Sequence, residues 1–190
     1  MRNIPVVISG PSGVGKGTIV DKLLELDEGL VESVSCTTRA PRKKERHGVE
    51  YFFITEQEFQ NRIAAHDFLE YDAHQGGWYG TPRSFVEKLL REKTVILEID
   101  VVGGLKAKVQ MPETVLIMIV PPSEEELLAR LAKRGSETEE QIQKRLHRVP
   151  FELAQQDKYD YVVVNDDLDR AVDEVLSIIQ KERNKEGDRS

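Results

Sequence analysis

Near its start the chain combines a short apolar run, a glycine-rich turn and an amphipathic pattern, in that order. Residues Ile4–Ser9 predict a buried strand, and residues Thr18–Leu26 place apolar side chains at helical spacing. A glycine-rich turn between a strand and a helix brings backbone N–H groups and the helix N-terminus together. This order predicts a loop that binds a phosphate group.

The turn follows the pattern G-x-x-x-x-G-K, with the residues Gly10, Pro11, Ser12, Gly13, Val14, Gly15 and Lys16. In this pattern the glycines let phosphate approach the backbone, and the lysine supplies a charge for the β and γ phosphates of a nucleotide. Gly17 replaces the hydroxyl residue that usually follows the lysine, and a hydroxyl comes one position later, at Thr18. Since that hydroxyl commonly ligates Mg²⁺, we expect the metal to depend more on nucleotide phosphates, water and a nearby carboxylate.

Further along the chain, apolar runs alternate with helical patterns. The predicted strands after Ile4–Ser9 are 95–99, 115–120 and 161–164, and the predicted helices after Thr18–Leu26 are 84–91, 123–134, 138–149 and 168–182. Residues 33–83 break this rhythm, with a strand-like stretch at 50–54 and a helical one at 56–65. The pattern predicts an α/β fold with a central parallel sheet flanked by helices, plus an inserted lobe.

Charge and composition narrow the class of protein. The net charge of −7 on 190 residues argues against broad binding to nucleic acids or acidic membranes. The longest apolar run, 115–120, is too short to span a bilayer, and no export leader is recognisable. One cysteine, Cys36, fits a reducing compartment, so a cytoplasmic location is expected. Two clusters of basic residues, 39–46 and 130–148, indicate local anion sites or two solvated faces.

Six further motifs follow along the chain: SVSCTTRAPR (33–42), GVEYFF (48–53), FLEYD (68–72), WYGTP (78–82), LEID (97–100) and VVVNDD (162–167). In order and in spacing they resemble the motifs of guanylate kinases. The resemblance covers about residues 4–182. It implies a single domain over 1–190, a P-loop kinase core with an inserted GMP-binding lobe and a lid. The implied boundaries are 1–32, 84–123 and 149–190 for the core, 33–83 for the lobe and 124–148 for the lid.

The resemblance also implies a reaction and residue roles. The family transfers the γ-phosphate of ATP to GMP, and by extension dGMP, with Mg²⁺, so the implied partners are ATP and GMP. The implied GMP-phosphate ligands are Arg39, Arg42, Tyr51 and Tyr79, and the implied guanine ligands are Ser35, Glu70 and Thr81. Asp100 is expected to position the substrate, and Asn165 to lie near adenine. Lys16, Arg130, Arg134 and Arg145 are expected to act on the transferring phosphate.

Elementary chemistry supports several of these roles. Guanidinium groups pair with phosphate oxygens through two parallel hydrogen bonds, although arginines in a loop are also often merely solvated. A carboxylate at Glu70 can accept from both N1–H and the 2-amino group of guanine, whereas adenine offers an acceptor at N1. Glu98 and Asp100 end a predicted buried strand and are candidate Mg²⁺ ligands through water, or structural hydrogen-bond acceptors.

The chain departs from the family pattern at three places. Lys43, Lys44 and His47 stand where a Pro-Gly pair and an Asp or Asn are usual, and Gly77 and Trp78 replace a common Asn-Tyr. Pro150 falls in a segment that is normally continuous helix, and predicts a bend or interruption there. Two other functions stay open: a phosphopeptide-binding module, and a kinase with another phosphorylated acceptor. The sequence does not decide between a monomer and a homo-oligomer.

Overall fold

A five-stranded sheet forms the centre of the protein in a computed structural model, which describes residues 1–74, 76–133 and 147–185. Its strands are β1 (Pro5–Ser9), β2 (Leu30–Glu32), β7 (Thr94–Glu98), β8 (Val115–Val120) and β9 (Tyr161–Val164). They lie in the order β2-β7-β1-β8-β9, and all four pairings are parallel. Every side chain of β1 and β8 is buried, as a parallel sheet covered on both faces requires.

Helices cover both faces of this sheet. The helices of the described residues are α1 (Lys16–Leu26), α2 (Glu56–Ala64), α3 (Arg83–Leu90), α4 (Val101–Gln110), α5 (Glu124–Lys133), α6 (Val149–Leu153) and α7 (Leu168–Asn184), with one 3₁₀ turn at Gln156–Lys158. On one face, Ile8 and Ile117 pack in a core with Leu23 of α1 and Val175 of α7. On the other face, α3 and α4 contribute buried apolar side chains to a second core.

A second, smaller sheet is built from residues between 36 and 82. Its strands are β3 (Cys36–Thr37), β4 (Phe52–Phe53), β5 (Phe68–His74) and β6 (Gly77–Pro82), in the order β4-β3-β6-β5. Strands β5 and β6 form an antiparallel pair, and Glu70 lies directly opposite Thr81. Phe59 of α2 stacks on Phe68 at 4.4 Å between ring centroids, which anchors the helix on this sheet.

The strand order places the end of β1 at a junction in the sheet. After β1 the chain continues to β2, which lies on one side of β1, whereas β8 and β9 lie on the other side of β1. In open parallel sheets a crevice forms at the carboxyl ends of strands where the connections diverge in this way. Residues 10–15 follow β1 and therefore lie at this crevice.

The predicted α/β class with a central parallel sheet flanked by helices is confirmed. The predicted strands at 95–99, 115–120 and 161–164 coincide with β7, β8 and β9 within one residue. The strand expected at 50–54 was predicted too long, because only Phe52–Phe53 pairs with β3. Helix α4 was not predicted, since Gly103 and Gly104 weaken its helical pattern. No helix within the described residues is long and apolar enough to cross a membrane.

Pro150 lies in the first turn of α6, where its missing N–H leaves no helical bond unmade. His147 and Arg148 form a turn directly before α6. The predicted bend or interruption of the helix beginning near 138 stays a prediction. The rest of the helix predicted at 138–149 lies outside the described residues.

Candidate functional site

The glycine-rich loop adopts a backbone that only glycine accepts easily at several points. Gly10, Gly13 and Gly15 have φ values of 146°, 88° and 99°. A Cβ atom on Gly10 would lie 2.1 Å from the carbonyl oxygen of Ile119, so the loop touches the backbone of β8. Helix α1 starts directly after Gly15, so its first N–H groups, which have no partner inside the helix, lie at the end of the loop.

Lys16 turns its side chain back over this loop. Its ammonium group donates to the carbonyl oxygens of Gly10 at 2.7 Å and Pro11 at 3.3 Å. The positive charge is therefore held beside the loop backbone rather than extended into solvent. An ammonium group in this position adds to the positive end of the α1 dipole and favours a bound anion.

Asn165, directly after β9, supports the loop from its other side. Its side-chain amide Nδ2 donates to the carbonyl oxygen of Val14 at 2.8 Å. The same nitrogen would lie 2.6 Å from a Cβ atom on Gly15, so glycine is required there for two reasons. Asn165 is buried, and this contact makes it a support of the loop backbone. Its contact with adenine stays a prediction.

The position of the missing hydroxyl faces a carboxylate. A Cβ atom on Gly17 would lie 3.5 Å from Oε2 of Glu98 and 3.9 Å from Oε1, whereas the Thr18 side chain is exposed. Asp100 caps α4, because its Oδ1 accepts from the N–H of Gly103 at 2.7 Å. Among the residues described, no three His, Cys, Asp or Glu side chains gather into a metal cluster. Glu98 and Asp100 offer carboxylate oxygens, which are the ligands that Mg²⁺ prefers. Phosphate oxygens would have to supply further ligands to the metal.

Three polar residues meet on the smaller sheet. The hydroxyl of Thr81 donates to Oε1 of Glu70 at 2.6 Å, and the hydroxyls of Ser35 and Thr81 lie 3.4 Å apart. Burial raises the pKa of the Glu70 carboxyl, and the negative charge of Asp100 adds to the rise, while the Thr81 hydrogen bond opposes it. A half-buried carboxylate with hydroxyl neighbours can accept two N–H groups from a flat ligand.

Gly103 links this group to the loop. A Cβ atom on Gly103 would lie 3.3 Å from Oε2 of Glu70 and 3.4 Å from Oδ1 of Asp100. The hydroxyl of Ser9, just before the glycine-rich loop, donates to the carbonyl oxygens of Ile99 and Asp100 at 3.0 and 3.2 Å. Asp100 therefore lies between the Glu70 group and the loop. Sequence reasoning did not include Ser9, whose position at the strand end next to the first glycine was the available signal.

Arg39 is held among polar and aromatic groups near the same sheet. Its Nε donates to the hydroxyl of Tyr79 at 3.0 Å, and its Nη2 lies 2.9 Å from both carboxylate oxygens of Glu45. The guanidinium group lies 5.7 Å from the ring centroid of Tyr51, which contacts Tyr79 edge to face. Three of the four residues predicted around a phosphate are thus in contact. Arg42 follows in the same loop and is exposed.

Glu45 is a residue that sequence reasoning missed. The signal was an acidic residue within the basic cluster, three positions after Arg42. Among the residues expected to clamp phosphates, Arg130 pairs with Glu126 one turn earlier in α5 at 3.1 Å. Arg134 and Arg145 lie outside the described residues, so their roles stay predictions.

Comparisons of the sequence and of the structure with known proteins agree on one protein family. The family model described as guanylate kinase matches residues 2–182. The chain is 50% identical to a guanylate kinase of Clostridium perfringens (strain SM101) over 96% of this chain and 85% of that protein. It is also 50% identical to a guanylate kinase of Caldanaerobacter subterraneus, over 96% and 89% of the two chains. The crystal structure of guanylate kinase from Anaplasma phagocytophilum matches with a TM-score of 0.76 and 34% identity, over 97% of this chain and 88% of that one.

Proposed function

Because the chain belongs to the guanylate kinase family, we infer that it transfers the γ-phosphate of ATP to GMP, giving ADP and GDP. The observation that carries the choice of acceptor is the Thr81–Glu70 hydrogen bond beside Ser35. Guanine presents two adjacent donors, N1–H and the 2-amino group, which a carboxylate can accept together. Adenine has an acceptor at N1, so binding it would set a lone pair against this half-buried carboxylate in place of a donor.

On the donor side, we propose that residues 10–18 hold the phosphates of ATP. The glycines supply backbone N–H groups, and the Lys16 ammonium beside the Gly10 and Pro11 carbonyls lies where it can move to a phosphate oxygen. Asn165 keeps the loop in shape through Val14, and we propose that it also lies beside the adenine. Phosphoryl transfer depends mainly on alignment and charge neutralisation, so a rigid loop serves the reaction directly.

We propose that Mg²⁺ accompanies ATP and that Glu98 and Asp100 hold it through water. The Glu98 carboxylate beside Gly17 supports this, because it lies where the usual hydroxyl would project. Mg²⁺ tolerates few protein ligands when phosphates are present. When bound, it neutralises charge on the β and γ phosphates during transfer.

On the acceptor side, we propose that Arg39, Arg42, Tyr51 and Tyr79 bind the GMP phosphate and that Ser35, Glu70 and Thr81 bind its guanine. The contacts of Arg39 with Tyr79 and Tyr51 support the first set. Asp100 is proposed to hold the acceptor between the two sets, since it lies next to Gly103 and Glu70. Transfer then needs only that the two phosphates meet in line.

We further propose three working parts with the boundaries 1–32, 84–123 and 149–190 for the core, 33–83 for the GMP-binding lobe and 124–148 for the lid. The separate sheet at 36–82 supports the second part. The lid would bring Arg130, Arg134 and Arg145 to the transferring phosphate, where fixed positive charges favour the transition state. A cytoplasmic location is proposed as well, where an unpaired Cys36 stays reduced.

The test is a coupled assay of ADP release with ATP, Mg²⁺ and one acceptor at a time: GMP, dGMP, AMP, UMP or CMP. We expect GMP to be the best substrate, with kcat/KM at least about 10²-fold above AMP, as for discrimination by an unpaired polar group. Turnover of another monophosphate at a rate equal to or above GMP would contradict the guanine assignment. Absence of ADP release with every acceptor would contradict the kinase function itself.

A further inference from the structure

We propose that Glu45 is a positioning residue, which sets the Arg39 guanidinium and the turn carrying Arg42 in place before GMP binds. The proposal rests on the proposed function, in which these arginines bind the GMP phosphate. It assigns a role to an acidic residue at a site where a negative charge would by itself repel the phosphate.

The first support is the pairing of Glu45 with Arg39. Nη2 of Arg39 lies 2.9 Å from Oε1 and 2.9 Å from Oε2 of Glu45. The two side chains are only 15% and 16% exposed, so water does not surround the pair as it would on an open surface. Charge-assisted hydrogen bonds in such sites are stronger and shorter than neutral ones.

The second support is the turn between Arg42 and Glu45. Oε2 of Glu45 accepts from the backbone N–H of Arg42 at 2.8 Å, and the backbone N–H of Glu45 donates to the carbonyl oxygen of Arg42 at 3.0 Å. One carboxylate therefore ties the Arg39 side chain to the Arg42 backbone. The Arg42 N–H, and after it the Arg39 charge, hold the pKa of Glu45 below its usual value, so the carboxylate is ionised when GMP arrives.

The remaining contacts of Arg39 complete a fixed frame. Nε donates to Tyr79 Oη at 3.0 Å and Nη1 donates to the Ala40 carbonyl at 2.7 Å. The guanidinium lies over the Tyr51 and Phe53 rings at 5.7 and 5.9 Å. Among the described residues, these hydrogen bonds leave one of the two N–H groups of Nη1 unused, and it can donate to a phosphate oxygen. A long side chain that is already ordered loses less conformational entropy when its ligand binds.

Competition is the opposite interpretation, in which Glu45 occupies the place of the phosphate and must leave. It predicts that removing the carboxylate strengthens GMP binding. The bond from Arg42 favours positioning, because a competitor for Arg39 has no need to hold the backbone of the second arginine. The two interpretations differ in sign, so one measurement separates them.

The experiment compares GMP with guanosine, which lacks the phosphate. Dissociation constants are measured without ATP, by calorimetric titration for GMP and by displacement of GMP for guanosine. For Glu45→Ala we expect the GMP constant to rise about tenfold or more, the range of a lost charge-assisted contact. The guanosine constant should change by less than about twofold, because the Glu70 group is untouched. In turnover assays the KM for GMP should rise while the KM for ATP stays unchanged.

Glu50→Gln is the matched control. Glu50 lies in the same loop and accepts from the backbone N–H of Arg46 at 2.6 Å, but it has no contact with Arg39 or Arg42 among the described residues. Glu45→Gln provides a second variant should Glu45→Ala fold poorly. It keeps the shape and one acceptor oxygen, and its NH₂ group faces a donor of Arg39, so GMP binding should weaken again.

The outcomes separate two failures. Tighter GMP binding by Glu45→Ala would overturn positioning in favour of competition, and equal weakening of GMP and guanosine would reduce Glu45 to a general structural role. Either result leaves GMP phosphorylation by the unmodified protein intact. Failure of the unmodified protein to phosphorylate GMP would instead overturn the proposed function.

Discussion

The Thr81 hydroxyl and the Glu70 carboxylate form a 2.6 Å hydrogen bond between residues that lie directly opposite each other on β5 and β6. The bond occupies Oε1 and fixes the plane of the carboxylate, while Oε2 lies beside Gly103, where no side chain fills the space. The register of one short hairpin thus determines how the carboxylate is oriented.

Glu70→Gln tests whether this carboxylate selects the base. The amide keeps the size of the side chain, but its NH₂ group would face one of the two donors of guanine. We expect kcat/KM for GMP to fall by a factor that corresponds to roughly 2–4 kcal/mol of lost transition-state stabilisation. The kcat/KM for AMP should fall far less, or rise. The measurement is the ratio of kcat/KM for GMP over AMP in both proteins. Asp72→Asn, exposed on the same strand, is the control, and an unchanged ratio in Glu70→Gln would show that Glu70 does not read the base.

Lys16→Met tests the role of the loop lysine. Methionine keeps an unbranched side chain but removes the charge and the bonds to Gly10 and Pro11. We expect kcat to fall on the order of 10²-fold to 10³-fold, because the charge acts on the transferring phosphate. The melting temperature should move by no more than about 4 °C. Lys22→Met, later in α1 and paired with Asp169, should leave kcat unchanged. Near-native kcat in a folded Lys16→Met protein would refute the loop assignment.

Asn165→Ala tests the support of the loop by its neighbour. Removing the amide leaves the Val14 carbonyl without its donor and opens space next to Gly15, into which the loop can move. We expect the KM for ATP to rise about fivefold to tenfold, consistent with the loss of one buried hydrogen bond. The KM for GMP should stay within about twofold, since its proposed ligands lie elsewhere. Equal changes in both constants would show that Asn165 does not act specifically on the ATP side, and Asp166→Asn, at the next position, is the control.

Glu32→Gln tests an electrostatic cost at the end of β2. Burial, together with the negative charges of Glu98 and Asp21, raises the pKa of Glu32 from 4.5 to about 7. Between these values the folded protein binds more protons than the unfolded chain, so stability falls as the pH rises through this window and levels off above it. The variant has no such charge, and should melt a few degrees higher than the parent protein at about pH 8, with a smaller gain near pH 4.5.

The measurement for Glu32→Gln is thermal unfolding across this pH range in metal-free buffer, followed by circular dichroism. Glu28→Gln, at an exposed site of the preceding turn, is the control. A difference in melting temperature that does not depend on pH would show that Glu32 titrates in the same way in the folded and unfolded states.

Strong periodicity explains which parts of the fold could be predicted. The β8 run of six buried apolar residues and the helical spacing in α7 each carry their own signal, and both elements formed where expected. Strands β3 and β4 are two residues long, so they have no period of their own and depend on pairing with β6 and with each other. Helix α4 begins with Val-Val-Gly-Gly and is stabilised by the Asp100 cap and by burial rather than by propensity.

The same distinction separates the residues of the candidate site that could be proposed from the sequence from those that could not. Contiguous residues such as 10–18 could be proposed as a phosphate-binding loop from their spacing, and Arg39 and Tyr79, which the resemblance names together, are in contact. The Glu45 carboxylate could not be assigned, since its proposed role depends on a turn geometry that charge counting does not contain. Asn165 was expected at adenine, whereas its contact with Val14 arises only when β9 has been placed next to β8.

The contact between Asn165 and Val14 can form only late in the synthesis of the chain. The two residues are 151 positions apart, so at usual rates of translation the loop exists for roughly 8 to 30 s before its supporting amide is added. Both strands that flank β1, namely β7 and β8, are also synthesised later than the loop. During that interval the nascent chain carries the motif without the surface that shapes it. We therefore expect ATP to find its pocket only after the ribosome has completed β9 and the residue that follows it.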